Sequence, residues 1–242
     1  MGLKGALGKF FRKYFFNPKW RCLLCGREVF EGENFCEKCY AKLPFNDGAI
    51  CEHCGRKVIA FEPYCTTCKN VLISLDLCRS AFSYEKPISA LIQKFKYGNG
   101  RYLADYFSEC VANLYLKNYL NADGLLYVPM FEKDERKRGY NQSKLLAEKV
   151  SLKVNVPLIN CLKKIKETKR QATLSRLERL KNLDGAFRVT DKKSVKDKTL
   201  VLIDDVTTTG ATAEVIAARL KKAGAKIVYL LTVASTPPID KY

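Results

Sequence analysis

Long apolar segments are missing from this sequence. A helix that spans a membrane needs about 20 consecutive apolar residues, and no run here approaches that length. The amino terminus also lacks the uninterrupted apolar core of a secretory signal peptide, because basic residues interrupt residues 1–16. We therefore expect no integral membrane span and a reducing, cytoplasmic environment.

Acidic residues are scarce relative to basic ones. The chain has 25 Asp and Glu against 43 Lys and Arg, which gives a formal net charge of +18. The excess is present in both parts of the chain, with +5 over residues 1–70 and +13 over residues 71–242. Such a balance favours polyanionic partners, although a solvated lysine-rich surface produces the same count.

Cysteine, by contrast, is abundant, with 11 residues. Eight of them form four CxxC pairs, and each pair can place two thiolates on one tetrahedral ion. Ten residues separate the first pair from the second, and ten separate the third from the fourth. Gly26 and Gly55 follow two of the pairs, where a residue without Cβ can take a positive φ. The pairs are Cys22/Cys25, Cys36/Cys39, Cys51/Cys54 and Cys65/Cys68.

This repeat predicts two tandem four-cysteine zinc sites, one from the first two pairs and one from the last two. A crossed arrangement stays open, and redox chemistry at the CxxC pairs is the alternative to metal. Because protein fills all four positions of each site, we expect structural zinc, which lowers the formal charge to +14 (18 − 4). His53 is interpreted as a bystander, and Cys78, Cys110 and Cys161 as small buried residues.

Helical and strand patterns alternate after residue 70. A strand over 198–206, a helix over 213–223 and a strand over 226–234 form a unit typical of a parallel sheet. Upstream, 125–130 is predicted as a buried strand and 132–139 as a charged loop. The next helix has Asn141 as its predicted cap.

These patterns divide the chain into three predicted segments. Residues 1–20 form a basic amphipathic segment, interpreted as a helix that packs on its own protein, with a membrane-surface helix as the alternative. Residues 21–70 form the double zinc-ribbon domain. Residues 71–242 form an α/β domain with a parallel sheet flanked by helices.

The segment 201–212 is the strongest functional signal. Leu200 to Ile203 reads as a strand buried on both faces, and ligands bind at the carboxyl ends of such strands. Asp204 and Asp205 suit a vicinal diol, either directly or through Mg²⁺ and water. The following turn, Thr207–Thr212, offers backbone N–H groups and hydroxyls to an anion. Since the lysine of a GxxxxGK[ST] loop is absent, the expected ligand of the turn is a single phosphate and not a triphosphate.

At these residues the chain resembles the 5-phosphoribosyl-1-pyrophosphate (PRPP) motif of type I phosphoribosyltransferases. The resemblance implies that Asp204 and Asp205 bind the ribose 2- and 3-hydroxyls of Mg²⁺-PRPP. It also implies that the 5-phosphate lies in the turn formed by Thr208, Thr209, Gly210, Ala211 and Thr212. The 6-oxopurine salvage members carry an aspartate where Thr208 stands here, which argues against purine salvage.

Two basic segments could supply further cations for PRPP or for a nucleic acid. Arg136 and Arg138 lie after the strand at 125–130, where a pyrophosphate leaving group would need cations. Residues 163–181 hold eight bases against two acids and could close over PRPP or follow a nucleic-acid backbone. The nucleic-acid candidates in this second segment are Lys163, Lys164, Lys166, Lys169, Arg170, Arg176 and Arg179.

The order of motifs is similar to that of the ComF (ComFC) competence proteins. Zinc knuckles come first and the PRPP motif last; between them lie Phe82-Ser83-Tyr84, residues 91–96, Val128-Pro129, residues 138–142, Gln171, Leu174, Arg179, Asn182 and residues 185–187. That resemblance implies a phosphoribosyltransferase-like domain joined to a double zinc ribbon. It further implies a cytoplasmic protein that helps incoming single-stranded DNA reach the recombination machinery during natural transformation. Met130-Phe131 departs from the family's second Val-Pro, and Thr207 replaces a frequent aliphatic.

Two functions remain open at this point. The first is handling of single-stranded DNA, with Tyr97, Tyr102 or Tyr140 as stacking platforms and a retained PRPP site. The second is an active phosphoribosyltransferase with an unidentified nucleobase-like acceptor. Such an enzyme needs a hood that reads the base, expected from the zinc module or from residues 78–105. The residues do not assign a catalytic group, and we favour DNA handling.

Overall fold

The computed structural model describes residues 20–56, 58, 62–69, 74–168 and 182–237. The chain forms two compact units, Met1–Leu43 and Pro44–Tyr242. The division falls between the two predicted zinc ribbons, so each cysteine cluster belongs to a different unit. The boundary predicted near residue 70 stays a prediction from composition.

The first unit is small. An antiparallel bridge joins Arg21 and Glu28, and a short helix, α1 (Glu37–Tyr40), follows Cys36. The buried apolar side chains of its described part are Cys22, Phe35 and Leu43. So small a core stabilises little by apolar burial alone, which is the usual reason for a structural metal.

The second unit contains a four-stranded parallel sheet in the order β1-β6-β5-β2. Its strands are β1 (Leu77–Ser83), β2 (Gly124–Tyr127), β5 (Thr199–Thr207) and β6 (Ile227–Ser235). The two central strands are paired from Thr199↔Ile227 to Thr207↔Ser235. Two short strands, β3 (Leu162–Lys164) and β4 (Phe187–Val189), form a separate antiparallel pair.

Helices make up much of the rest of the described part of this unit. They are α2 (Thr66–Lys69), α3 (Ile88–Tyr97), α4 (Leu103–Lys117), α5 (Glu132–Arg138), α6 (Gln142–Val154) and α7 (Ala211–Lys222). Helices α4 and α6 contact each other and the sheet, whereas α7 contacts β4 and β6. Leu200 and Leu202 share a core cluster with Ile216 and Leu220 of α7. Val201 and Ile203 are also fully buried and alternate with them, so they point to the opposite face.

The predicted strand, helix, strand unit is confirmed, with boundaries that differ by one or two residues. The predicted strand over 125–130 is shorter than expected, because β2 ends at Tyr127 and only the Val128 N–H still bonds β5, to the Ile203 carbonyl at 3.1 Å. Pro129 has no N–H, so the ladder cannot continue through it.

The prediction of a charged loop at 132–139 is wrong, because this segment forms helix α5. Acids occupy its first turn and bases its last turn, which complements the helix dipole. Glu132 and Arg136 form an i,i+4 ion pair of 2.9 Å, and Gly139 ends the helix with φ 84°. The predicted Asn141 cap is confirmed, since its side chain accepts the Lys144 N–H at 3.2 Å.

None of the helices in the described part of the chain is long and apolar enough to cross a membrane.

Candidate functional site

The cysteines meet in two groups of four. The thiol sulfurs of each group lie within 4.8 Å of one another. The Cys25 and Cys36 sulfurs are 3.8 Å apart, and those of Cys54 and Cys65 are 3.6 Å apart. Two sulfurs at about 2.3 Å from a tetrahedral zinc ion are separated by about 3.8 Å, so both groups fit a structural zinc site. The grouping follows the sequence order and not the crossed order: Cys22, Cys25, Cys36 and Cys39, then Cys51, Cys54, Cys65 and Cys68.

Hydrogen bonds favour the thiolate of at least one cysteine in each group, whereas burial is the main cause that raises the pKa of Cys39 to about 12 and raises that of Cys65. Burial raises the pKa of Cys22, but N–H groups of Cys25, Cys36 and Leu24 outweigh it and lower the pKa to about 6. A hydrogen bond from Cys68 is the main cause that lowers the pKa of Cys54 to about 5. Gly26 and Gly55 take the predicted positive φ, 72° and 68°. A zinc ligand must be deprotonated, so these donors favour metal binding.

The acid pair lies at the carboxyl end of β5, beside helices α3 and α6. The Ser143 hydroxyl donates to Asp204 Oδ1 at 2.6 Å, and the backbone N–H of Asp205 donates to the same oxygen at 2.9 Å. Lys96 Nζ, at the end of α3, lies 2.9 Å from Asp205 Oδ2. The two acids therefore have different partners, and Asp205 is the more buried.

Charge and burial shift the pKa values at this pair. Burial and the neighbouring charge of Asp205 raise the pKa of Asp204 to about 7, although Ser143 and Lys96 oppose the shift. Burial alone would lower the pKa of the Lys96 ammonium, but the charges of Asp205 and Asp204 outweigh it and raise the pKa above its ordinary value. These shifts favour a protonated Lys96 and place the titration of Asp204 near neutral pH.

Lys96 and Ser143 were not assigned a role from the sequence. A signal for Lys96 did exist: Ile88, Ile92 and Phe95 form the buried stripe of α3, and Lys96 follows Ile92 by one helical turn. A lysine at the edge of a buried stripe needs an anionic partner when its ammonium is covered.

The threonine turn links β5 to α7. Gly210 precedes the helix with φ 77°, and an added Cβ would meet no atom closer than 4.0 Å. The positive φ, and not space, is therefore what favours glycine here. The Thr236 hydroxyl donates to the Thr208 carbonyl at 3.0 Å, and the Thr236 N–H donates to the Thr207 carbonyl at 3.0 Å. These bonds engage carbonyls of the turn, and within the turn the Ala211 N–H donates to Thr209 Oγ1 at 3.4 Å.

The two predicted arginines of α5 differ in their contacts. Arg138 donates to Gln142 Oε1 at 2.7 Å, and Gln142 donates to the Lys96 carbonyl at 3.3 Å. This chain connects Arg138 to the helix end that carries Lys96. The described partner of Arg136 is Glu132 on its own helix.

Three tyrosines and three cations form one surface beside Lys96. The Arg138 guanidinium lies 4.8 Å from the Tyr97 ring centre and donates to its hydroxyl at 3.2 Å. The side chains of Arg101 and Lys94 lie over the rings of Tyr140 and Tyr102, at 4.5 and 5.3 Å. Tyr97 is 72% exposed and Tyr102 47%. We call this set the tyrosine–cation surface: Lys94, Tyr97, Arg101, Tyr102, Arg138 and Tyr140.

The basic segment 163–181 is described only in part. Lys163 and Lys166 are exposed, whereas Lys164 is half-buried and donates to the Thr168 hydroxyl at 2.7 Å. Burial lowers the pKa of Lys164. Lys169, Arg170, Arg176 and Arg179 lie outside the described residues.

The remaining thiols are covered to different degrees. Cys78 and Cys161 are buried as predicted, while Cys110 is only partly buried. Burial raises the pKa of Cys78 and that of Cys110 to about 12. Thiols of such high pKa are poor nucleophiles at neutral pH.

A parallel sheet with an acid pair and a threonine turn at one strand's carboxyl end defines a phosphoribosyltransferase-type domain. Residues 141–240 match the family model of the phosphoribosyl transferase domain, and residues 13–80 match that of the double zinc ribbon domain. The fold is thus a phosphoribosyltransferase-like parallel sheet flanked by helices, with an N-terminal zinc-ribbon module.

Curated relatives match more than half of the chain. The chain is 34% identical over 148 residues to competence protein F of Haemophilus influenzae, which covers 58% of this chain and 65% of that protein. It is 30% identical over 163 residues to the DNA utilization protein YhgH of Escherichia coli strain K12, covering 63% and 69%. Among solved structures, a glutamine PRPP amidotransferase from B. subtilis is similar at 18% identity and a TM-score of 0.41, covering 58% of this chain and 30% of that one. The chain belongs to the ComF family of competence proteins.

Proposed function

We propose that this protein binds Mg²⁺-PRPP at the carboxyl end of β5 and handles single-stranded DNA on the tyrosine–cation surface. In this proposal it acts in the cytoplasm during natural transformation, beside DNA-uptake or recombination proteins. The observation that carries the proposal is the junction at Lys96, where the acid pair and the tyrosine–cation surface share one helix end.

The PRPP half of the proposal rests on complementary groups in one place. Asp204 and Asp205 would bind the ribose hydroxyls or the Mg²⁺ that accompanies PRPP, and the turn 207–212 would hold the 5-phosphate. Lys96 already neutralises Asp205 and would face the pyrophosphate. A dianionic phosphate gains most where donors are fixed before it arrives.

The DNA half rests on the alternation of rings and cations. Single-stranded nucleic acid is held by basic groups that follow the backbone and by aromatic rings on which bases stack. Tyr97 has a guanidinium over its ring and remains largely exposed. Lys163 and Lys166 would extend the positive field along the chain's second basic segment. The names of the relatives refer to competence and DNA utilization, which agrees with this half.

Catalysis is the second candidate. Lys96 and Arg138 lie where a departing pyrophosphate would need cations, and the exposed Tyr97 ring could carry an acceptor base. In this reading the tyrosine–cation surface, which falls partly within residues 78–105, supplies the hood that a phosphoribosyltransferase needs. The product would be a nucleobase-like acceptor that carries ribose 5-phosphate.

One set of measurements separates the candidates. Isothermal titration with Mg²⁺-PRPP measures binding, and pyrophosphate release in a pooled panel of nucleobases, with and without single-stranded DNA, measures turnover. The double variant Asp204→Ala/Asp205→Ala is the control and should lose PRPP binding while it keeps two zinc ions per chain. Binding without release supports DNA handling with a retained site; release that depends on both acids identifies an enzyme. Absence of PRPP binding in the zinc-loaded wild type would refute the PRPP site.

A further inference from the structure

The two CxxC knuckles that end in Gly-Arg are equivalent in sequence but not in environment. Residues 22–27 read CLLCGR and residues 51–56 read CEHCGR. Both close the same turn, since Cys22 N–H donates to the Arg27 carbonyl at 2.8 Å and Cys51 N–H to the Arg56 carbonyl at 2.7 Å. Arg27 is exposed, whereas Arg56 is only 9% exposed. The two knuckles therefore differ in how far the arginine side chain is covered.

The Arg56 side chain contacts the threonine turn. The Arg56 guanidinium donates from Nη2 to the Thr208 carbonyl, 152 residues away in sequence. The same carbonyl accepts the Thr236 hydroxyl, so two donors from different segments hold it. The knuckle residues His53 and Cys54 and the turn residues Thr209 and Gly210 line one cavity of about 30 Å³. Arg56 thus reaches the predicted 5-phosphate site from the side of the carbonyls.

The knuckle itself is fixed to the sheet. Cys78 N–H, at the start of β1, donates to the His53 carbonyl at 2.7 Å. A Cβ added at Gly55 would lie 2.5 Å from the Cys78 carbonyl oxygen, so only glycine allows this approach. At Gly26 an added Cβ would meet nothing within 4 Å. Close packing against β1 therefore distinguishes the second knuckle from the first.

Arg56 also belongs to the second cysteine cluster through its backbone. Its N–H hydrogen-bonds the Cys54 sulfur, and its charge favours the Cys54 thiolate. The side chain of Arg56 leads away from the cluster to Thr208, and its Nε, also buried, has no hydrogen-bond partner in the described part of the chain. One residue therefore joins a metal-binding cysteine to the carbonyl face of the turn.

We propose that Arg56 is a positioning residue through which the second zinc site holds the threonine turn in its phosphate-binding conformation. This inference rests on the proposed PRPP function. The turn binds phosphate through N–H groups that must converge, so its affinity scales with the fraction of molecules in which they do. With the cysteines of the second cluster held together, Arg56 keeps the Thr208 carbonyl turned outward. When the cluster opens, that restraint is lost and PRPP affinity falls.

The test compares equivalent substitutions in the two knuckles. Arg56→Gln and the matched control Arg27→Gln are titrated with Mg²⁺-PRPP by calorimetry, with zinc content and thermal unfolding measured on the same samples. We expect Arg56→Gln to keep two zinc ions per chain and to raise the PRPP Kd about 10-fold or more, while Arg27→Gln leaves Kd within about 2-fold of wild type. Arg56→Lys, which retains the charge and a donor, should recover part of the loss.

A second pair of variants tests whether PRPP binding depends on the second zinc site. Cys65→Ser and Cys36→Ser each remove one ligand, from the second and the first cluster respectively. Both should lower zinc content to about one ion per chain, but only Cys65→Ser should weaken PRPP binding.

The outcomes are distinct. If wild type binds PRPP and Arg56→Gln binds it equally well, the inference is overturned while the proposed function stands. If Arg56→Gln fails to fold, the PRPP affinities of Arg56→Lys, Cys65→Ser and Cys36→Ser test the inference in its place. Equal weakening by Cys65→Ser and Cys36→Ser would overturn the coupling, because it would mean general destabilisation. Failure of the wild type to bind PRPP would overturn the proposed function and, with it, this inference.

Discussion

Lys96 Nζ lies 2.9 Å from Asp205 Oδ2 and so joins the last turn of α3 to the carboxyl end of β5. The pair is largely buried, with side-chain exposures of 21% and 9%. Removing one partner of a buried pair leaves a charge without compensation and is strongly destabilising. The same lysine supports the proposed PRPP site and borders the tyrosine–cation surface, so its substitution should affect both stability and binding.

Lys96→Met should weaken Mg²⁺-PRPP binding by at least about 10-fold and lower the free energy of unfolding by about 3 kcal/mol. The reason is that Asp204 and Asp205 then face each other without a cation. Calorimetry and urea unfolding measure the two effects. Lys117→Met, at the exposed end of α4, is the control and should change neither. PRPP binding of wild-type strength in Lys96→Met would exclude a role for this lysine in the site.

The raised pKa of Asp204 predicts how stability depends on pH. Its folded pKa is about 7 against an ordinary value of 3.8, so folding takes up a proton between these values. The contribution of Asp204 is therefore most favourable below about pH 4 and is lost as pH rises through about 7. Asp204→Asn should be more stable than wild type at pH 8, by an amount on the order of 2 kcal/mol, and should lose this advantage toward pH 4.

Urea unfolding across that range checks the expectation. Asp105→Asn, an exposed acid that pairs with Lys149, serves as the control. An Asp204→Asn variant that is less stable than wild type at pH 8 would contradict the assigned shift. The same titration predicts that Mg²⁺-PRPP affinity of the wild type rises with pH through about 7, because ribose and Mg²⁺ both require the carboxylate.

Gly210→Ala should weaken PRPP binding more than it affects folding. An alanine at φ 77° costs about 1 kcal/mol locally, and relaxation of that strain would displace the N–H groups of the turn. We expect a 10-fold or larger increase in Kd for Mg²⁺-PRPP. Gly185→Ala is the matched control, since Gly185 also has a positive φ, 67°, and open space around its Cβ position. If Gly210→Ala binds PRPP as tightly as Gly185→Ala does, the turn does not bind the phosphate.

Tyr97→Ala should weaken binding of a single-stranded oligonucleotide by about 5- to 150-fold, because a stacked base contributes about 1–3 kcal/mol. Fluorescence anisotropy with a labelled oligonucleotide measures this loss. Tyr119→Ala, which removes a ring that is 92% exposed at the end of α4, should have no effect. For the wild type, log K for the oligonucleotide should also fall linearly as the logarithm of the salt concentration rises. An affinity independent of salt would exclude the electrostatic part of the DNA proposal.

Local patterns predicted a large part of this molecule. Spacing alone indicated the two cysteine clusters, since each CxxC knuckle forms within four residues. The β5 strand, the turn and α7 were likewise predictable, because an apolar run, paired acids and a glycine are neighbours in sequence. The charged segment was misread as a loop because its helix has no buried residue, and without an apolar stripe the period of 3.6 is not visible.

Short stretches of the sequence encode the groups that the proposed chemistry uses: eight cysteines, an acid pair, a threonine turn and an excess of positive charge. The distant groups that lie beside these residues follow from the tertiary fold. Arg56 meets Thr208 across 152 residues, and Ser143 meets Asp204 across 61. Such contacts depend on the strand order β1-β6-β5-β2 and on which helix end meets which strand end. No short-range pattern encodes that order, because it is fixed by burial of whole faces against one another.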